Sequence, residues 1–162
     1  MVMKLSYLKG LSFGLTSGVI TTLGLMVGLK SGTESTLAVI GGILTVAIAD
    51  AFSDALGIHI SEKSQGIHSK MTIWESTFAT FMGKMFFGLS FLIPVILFDL
   101  QTAVYVSIVW GFFALGVISY YMALEQKMVV WKLIAEHWGL TAFVITLTHF
   151  VGIWIKTTFG GM

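Results

Sequence analysis

The chain has 162 residues, of which 56% are hydrophobic and 10% charged, with a formal net charge of +1. Its mean hydropathy is +0.93. A soluble domain carries about 25% charged residues and could not hide this much apolar surface at this size, so an ordinary soluble enzyme is excluded. With no cysteine there is no disulfide, Cys-ligated zinc or iron–sulfur cluster. All nine cationic side chains are Lys, and no basic block points to nucleic acid.

About 20 largely apolar residues cross the hydrocarbon as a helix. The gaps between charges predict five such spans, near residues 8–29, 36–57, 74–98, 102–124 and 136–157. They use nearly the whole chain and leave no room for a soluble catalytic domain. Strands are not expected, because the apolar runs are too long and lack period-two alternation. The fold class is therefore an all-α integral membrane protein in one five-helix domain. The first span is read as retained, since it is long for a signal peptide and no small-residue cleavage site follows it. Lys4, Lys9, Lys63, Lys70, Lys127 and Lys132 fall on one side, and Lys30 and Lys156 on the other. The positive-inside rule then predicts an N-in, C-out arrangement. A prokaryotic plasma membrane is the expected location.

On the first span Gly10, Gly14, Ser17, Thr21, Gly24 and Gly28 share one side at about 100° per residue. Small residues let helix backbones approach closely in lipid. The stripe therefore serves packing within the chain, a face shared with a second copy, or the wall of a path. On the second span Asp50, Ser53, Asp54, Gly57 and Ser61 share a face. Asp50 and Asp54, four residues apart, are neighbours. Intramembrane carboxylates are costly and mark function by default, so this pair is the candidate site for taking up a cation or exchanging protons. The blander reading places both in water, or neutralises one with a Lys. Residues 58–73 are expected as a polar connector that extends the second helix and then turns at Gly66. Mostly this reads as a solvated link. The sharper reading makes His59, Glu62 and His68, with Glu136 at the start of the fifth span, a place where metal is gathered on the cytoplasmic side.

Lys84 sits near the middle of the third span, either paired with Asp50 or Asp54, or cycling a proton. Pro94 predicts a kink at the end of that span. Glu75 and Glu136 suit helix N-termini. On the fifth span Gly139, Ala142, Thr146, His149 and Gly152 form a small and polar stripe, in which His149 serves as a hydrogen-bonding group or a proton or metal carrier. The remaining aromatics, such as Trp74, Trp110, Trp131 and Trp138, fit interface or packing roles.

The run GLTSGVITTLGLMVGL (Gly14 to Leu29) resembles the first membrane helix of the vacuolar iron transporter family. The run ADAFSDALGIHISEKSQ (Ala49 to Gln65) is similar to that family's second helix and is the most specific match. GLSFLIP in the third span and THFVG in the fifth resemble the family's Gly-to-Pro and Thr-Tyr-to-Gly segments. The resemblance implies a five-helix bundle acting as a homodimer. It implies export of ferrous iron or manganese from the cytosol in exchange for protons, along a path between the first two helices of each copy. It implies no cofactor; the metal is the substrate. Asp50 matches a family acid. The family's first-helix Asn-Asp falls on Thr16 and Ser17, its Met on Asp54 and its second-helix Glu on Ile58. The cytoplasmic metal-binding domain of larger members is here only the short connector. A carboxylate lost from the first helix is thus regained at Asp54. With the hydroxyls of Thr16 and Ser17 the set is oxygen-rich and suits harder cations, manganese first and iron second. On this reading Asp50 and Asp54 hold the metal, Thr16, Ser17 and Ser53 line the path with His149, and Lys84 neutralises the empty site. The alternatives are another cation on the same bundle, or a non-transporting membrane subunit in which Lys84 is a permanent counter-ion. An intramembrane hydrolase is the weakest option.

Overall fold

A computed structural model describes residues 5–160, with the backbone alone for Leu5. Lys4 of the expected cytoplasmic set lies outside the described residues. The described chain forms six helices and no strand: α1 (Leu5–Thr33), α2 (Thr36–Gln65), α3 (Lys70–Ser90), α4 (Leu92–Leu97), α5 (Leu100–Glu125) and α6 (Val130–Phe159). Five stretches are long and apolar enough to cross a membrane, with α3 and α4 together making one of them over Lys70–Leu97. This is the architecture of a multi-pass membrane protein.

The helices outrun the apolar segments that announce them. α2 runs on through the polar segment to Gln65 and turns at Gly66, the extension expected of residues 58–73, and α3 already starts at Lys70, so the non-helical link is residues 66–69. Glu, Lys and Gln are good helix formers, so the end of an apolar run marks the hydrocarbon and not the end of the helix. Gly66 stops α2 because it takes the left-handed conformation, φ 69°, which costs glycine nothing. Ser35, Ser69 and Asp99 cap α2, α3 and α5 by accepting from the backbone N–H groups of Ala38, Thr72 and Thr102. The break expected at Pro94 lies one turn earlier, at Phe91. Pro94 has no N–H for the Ser90 carbonyl and its ring crowds that oxygen, so the helix fails before the proline itself. The Phe91 N–H turns back to the Gly88 carbonyl at 3.3 Å instead.

α1 is the hub, packing against α2, α3, α5 and α6. Its glycine stripe is divided between two neighbours of the same chain. A Cβ on Gly10 or Gly14 would lie 2.2 or 2.3 Å from the carbonyl oxygens of Ser76 and Thr80 on α3. Further along, Gly24 and Gly28 face Val144 and Thr148 on α6, and a Cβ on Gly152 would lie 2.4 Å from the Gly28 carbonyl. These pairings run α3 and α6 parallel to α1. The close α1–α3 seam is also tied by Thr80, whose hydroxyl donates to the Gly10 carbonyl at 3.0 Å. An apolar core of Val19, Leu23, Ile43, Phe91, Val104 and Leu115 joins α1 to α2, α4 and α5. α2 and α6 stand apart on either side of α1.

Candidate functional site

The backbone contact between α1 and α3 positions the central group. Gly18 lets the Lys84 backbone come close, with a Cβ there falling 3.0 Å from the Lys84 carbonyl. From that anchor the Lys84 side chain reaches toward α2. It is 2% exposed and pairs with both acids, with Asp54 Oδ2 and, at 2.6 Å, with Asp50 Oδ2. Ser17 of α1 completes the cluster: Lys84 Nζ donates to Ser17 Oγ at 2.8 Å, and Ser17 Oγ donates to Asp54 Oδ2 at 2.7 Å. From α1 only a hydroxyl faces the ammonium; both charged partners come from α2. The cluster sits half-way along α2 and half-way along the α3–α4 span. Two carboxylates and one ammonium leave a formal charge of −1 at this depth.

Asp50 is the open member, 33% exposed. It lines a cleft of about 610 Å³ floored by Thr21 and Leu25 of α1 and walled by Asp50 and Ser53 of α2 and Val144 and Thr148 of α6. The cleft extends from the cluster toward the α1–α2 connection, and Asp50 is its only charged wall residue. Two carboxylates and one hydroxyl are fewer oxygens than the six that manganese favours. Among the described residues no group of three or more His, Cys, Asp or Glu side chains converges to hold a metal ion.

The other expected site residues scatter. Thr16 is not in the cluster, and its Oγ1 is buried without a hydrogen-bond partner among the described residues. His149 is near the far end of α1, where its Nδ1 meets Ser31 Oγ at 2.7 Å. It is not near the carboxylates; of the stripe Gly139, Ala142, Thr146, His149 and Gly152, Gly152 packs on α1 beside Val144 and Thr148, while the other four are exposed. His59 bonds Thr77 Oγ1 at 3.1 Å and stands edge-on to Trp74, on the α2–α3 face. Glu136 is exposed on α6. Glu62 is 2% exposed and taken up by Lys9 and by His68 Nε2 at 3.2 Å, so it is a buried ion-pair partner rather than an open ligand. The Lys9–Glu62 pair carries a signal that sequence reading passed over. In antiparallel helices Lys9 stands to Ser17 as Glu62 stands to Asp54, each about two turns apart.

Comparison with known proteins finds no protein-family model and no curated protein that matches this chain.

Proposed function

We propose that the chain is a secondary transporter that moves a divalent transition metal, ferrous iron or manganese, out of the cytosol in exchange for protons. It would work as a homodimer, N-in and C-out. The observation that carries this reading is the Asp50–Asp54 pair at mid-span, held by Lys84 and opening through Asp50 into a cleft. An incoming cation must displace the Lys84 ammonium to reach both carboxylates. Carboxylates ligate only when ionised, so metal uptake and proton movement are linked. A divalent ion replacing the ammonium would bring the carboxylate pair from −1 to neutral, the cheaper state in a low-dielectric interior.

The dimer supplies the oxygens that one copy lacks. α2 carries Gly41, Thr45, Ala49, Ser53 and Gly57 at four-residue intervals, all exposed. No atom lies within 4 Å of a Cβ placed on Gly41 or Gly57. Such a stripe suits a close helix–helix contact in lipid. Two copies of α2 meeting there would bring four aspartates toward one axis. The vacuolar iron transporter resemblance of α1 and α2 supports the same arrangement.

The test is purified protein in liposomes, with manganese or ferrous-ion uptake and internal pH followed together for the native chain and Asp54→Asn. Metal flux with opposite proton movement, lost in Asp54→Asn, is the expected result. Undiminished metal flux in the variant would remove Asp54 from the path. The small ligand set of a single copy favours a second reading, a monovalent cation exchanged for the Lys84 proton with no change of site charge. Competition between manganese and sodium separates the two.

A further inference from the structure

The cluster is open on one side and shut on the other. Toward the α1–α2 connection it meets the cleft through Asp50. Toward the α2–α3 connection the same α1–α2 seam is crossed by a second ion pair, Lys9 with Glu62. It lies about two helical turns beyond the Ser17–Asp54 bond on both helices. Glu62 is 2% exposed, whereas the groups that neutralise it are the 51% exposed Lys9 and the 31% exposed His68 of the connector. A buried carboxylate is thus held by two partners at the edge of the protein, one of them on a long flexible stem. Between pair and cluster, one turn from each, the register positions are Phe13 on α1 and Ile58 on α2, both apolar. Ser6 of α1 adds a bond to Glu75 of α3 at 3.2 Å on the same end.

We propose that Lys9, Glu62 and His68 form a gate. In this conformation they seal the α1–α2 seam at the α2–α3 end, and they must part before the Asp50–Asp54–Lys84 cluster can be reached from that side. The proposal rests on the transport reading, because a carrier's site must be reached from the two sides in turn. With the gate shut, access would be from the side of the cleft beside Asp50. Parting the gate exchanges the buried Glu62 contacts for water at the α2–α3 end.

The native chain has no cysteine, which leaves the test free of background labelling. Ser17→Cys serves as a reporter in reconstituted protein, treated with a membrane-impermeant thiosulfonate on the side bearing the α2–α3 connection. With the gate intact the reporter is expected to react slowly. With Lys9→Met or Glu62→Gln added, at least tenfold faster labelling is expected. Two gate variants are used so that misfolding of one does not decide the matter. Equal labelling in the reporter alone and in both gate variants would overturn the gate. In a second arm, Lys9→Cys with Glu62→Cys is joined by a short bifunctional thiosulfonate. Manganese flux is expected to fall at least tenfold and to return on reduction; flux unchanged by the cross-link would also overturn it. If the native chain moves neither manganese nor sodium, the transport reading fails, and the labelling arm still decides whether the seam opens at this pair.

Discussion

Lys84 keeps a charge at the middle of an apolar span because two carboxylates and a hydroxyl replace the water it gives up. Removing one partner of a buried pair leaves the others uncompensated, at a cost of about 3–5 kcal/mol. Lys84→Met is therefore expected to lower the thermal unfolding midpoint in detergent strongly, and the triple variant with Asp50→Asn and Asp54→Asn to recover most of the loss. Failure of that rescue would mean that Lys84 acts by packing its stem. Two exposed carboxylates give the fold a pH signature. The hydrogen bond and charge of Lys156 hold Glu34 below its usual value, and the Thr102 backbone N–H does the same for Asp99. A carboxyl lowered in the folded state contributes stability above its unfolded value and loses it as pH falls through the folded value. The melting midpoint is expected to decline below about pH 4, and less so in Asp99→Asn with Lys156→Met. That Asp50 and Asp54 share a face is legible in their spacing alone. That Lys84 takes both, with Ser17 between, is not, because the distance between helices is set by the glycine contacts that draw α3 onto α1. Thr16 shows the limit from the other side. It neighbours Ser17 in sequence but turns about 100° away, outside the cluster.

Between elements, glycines decide how near two backbones come. Gly14→Ala places a methyl 2.3 Å from the Thr80 carbonyl, backbone against backbone, where neither side can yield cheaply. A loss of about 1–3 kcal/mol is expected. Gly41→Ala on open α2 meets nothing within 4 Å and is expected to be neutral or slightly stabilising within one copy. Equal effects in a melting comparison would contradict the assignment of the α1 stripe to intrachain packing. The stripe itself is plain in the sequence, but its partners are not: small residues advertise a close approach without saying to what. The α6 stripe shows the same limit, since Gly152 packs on α1 while Ala142 and Thr146 stand exposed. The far end of α2 is legible, since polar helix formers carry it on to the turn at Gly66, whereas nothing in hydropathy marks the early start of α3 at Lys70.

At the scale of the molecule, five apolar spans follow from charge spacing and survive in the structure. Their arrangement around α1 does not follow from hydropathy, which is nearly uniform round each helix. The exposed small-residue face of α2 makes a distinct expectation. Ala49→Leu with Gly57→Leu should reduce the mass measured in detergent from that of a dimer to that of a monomer while leaving the melting midpoint of the protomer nearly unchanged. A monomeric native chain would leave the face without the partner assigned to it above.

The central place of α1 has a consequence for how the chain is made. α1 leaves the ribosome well before α6, and although its second half also packs on α2 and α5, the glycine face of that half finds its partner only in α6, where Gly28 and Gly152 meet. Until then that glycine face, with its bare backbone, is exposed to lipid or a chaperone. Nascent chains cut before residue 130 should therefore be integrated yet short-lived, and a pulse-chase series of truncations should show the lifetime rising only when the segment through Gly152 has emerged.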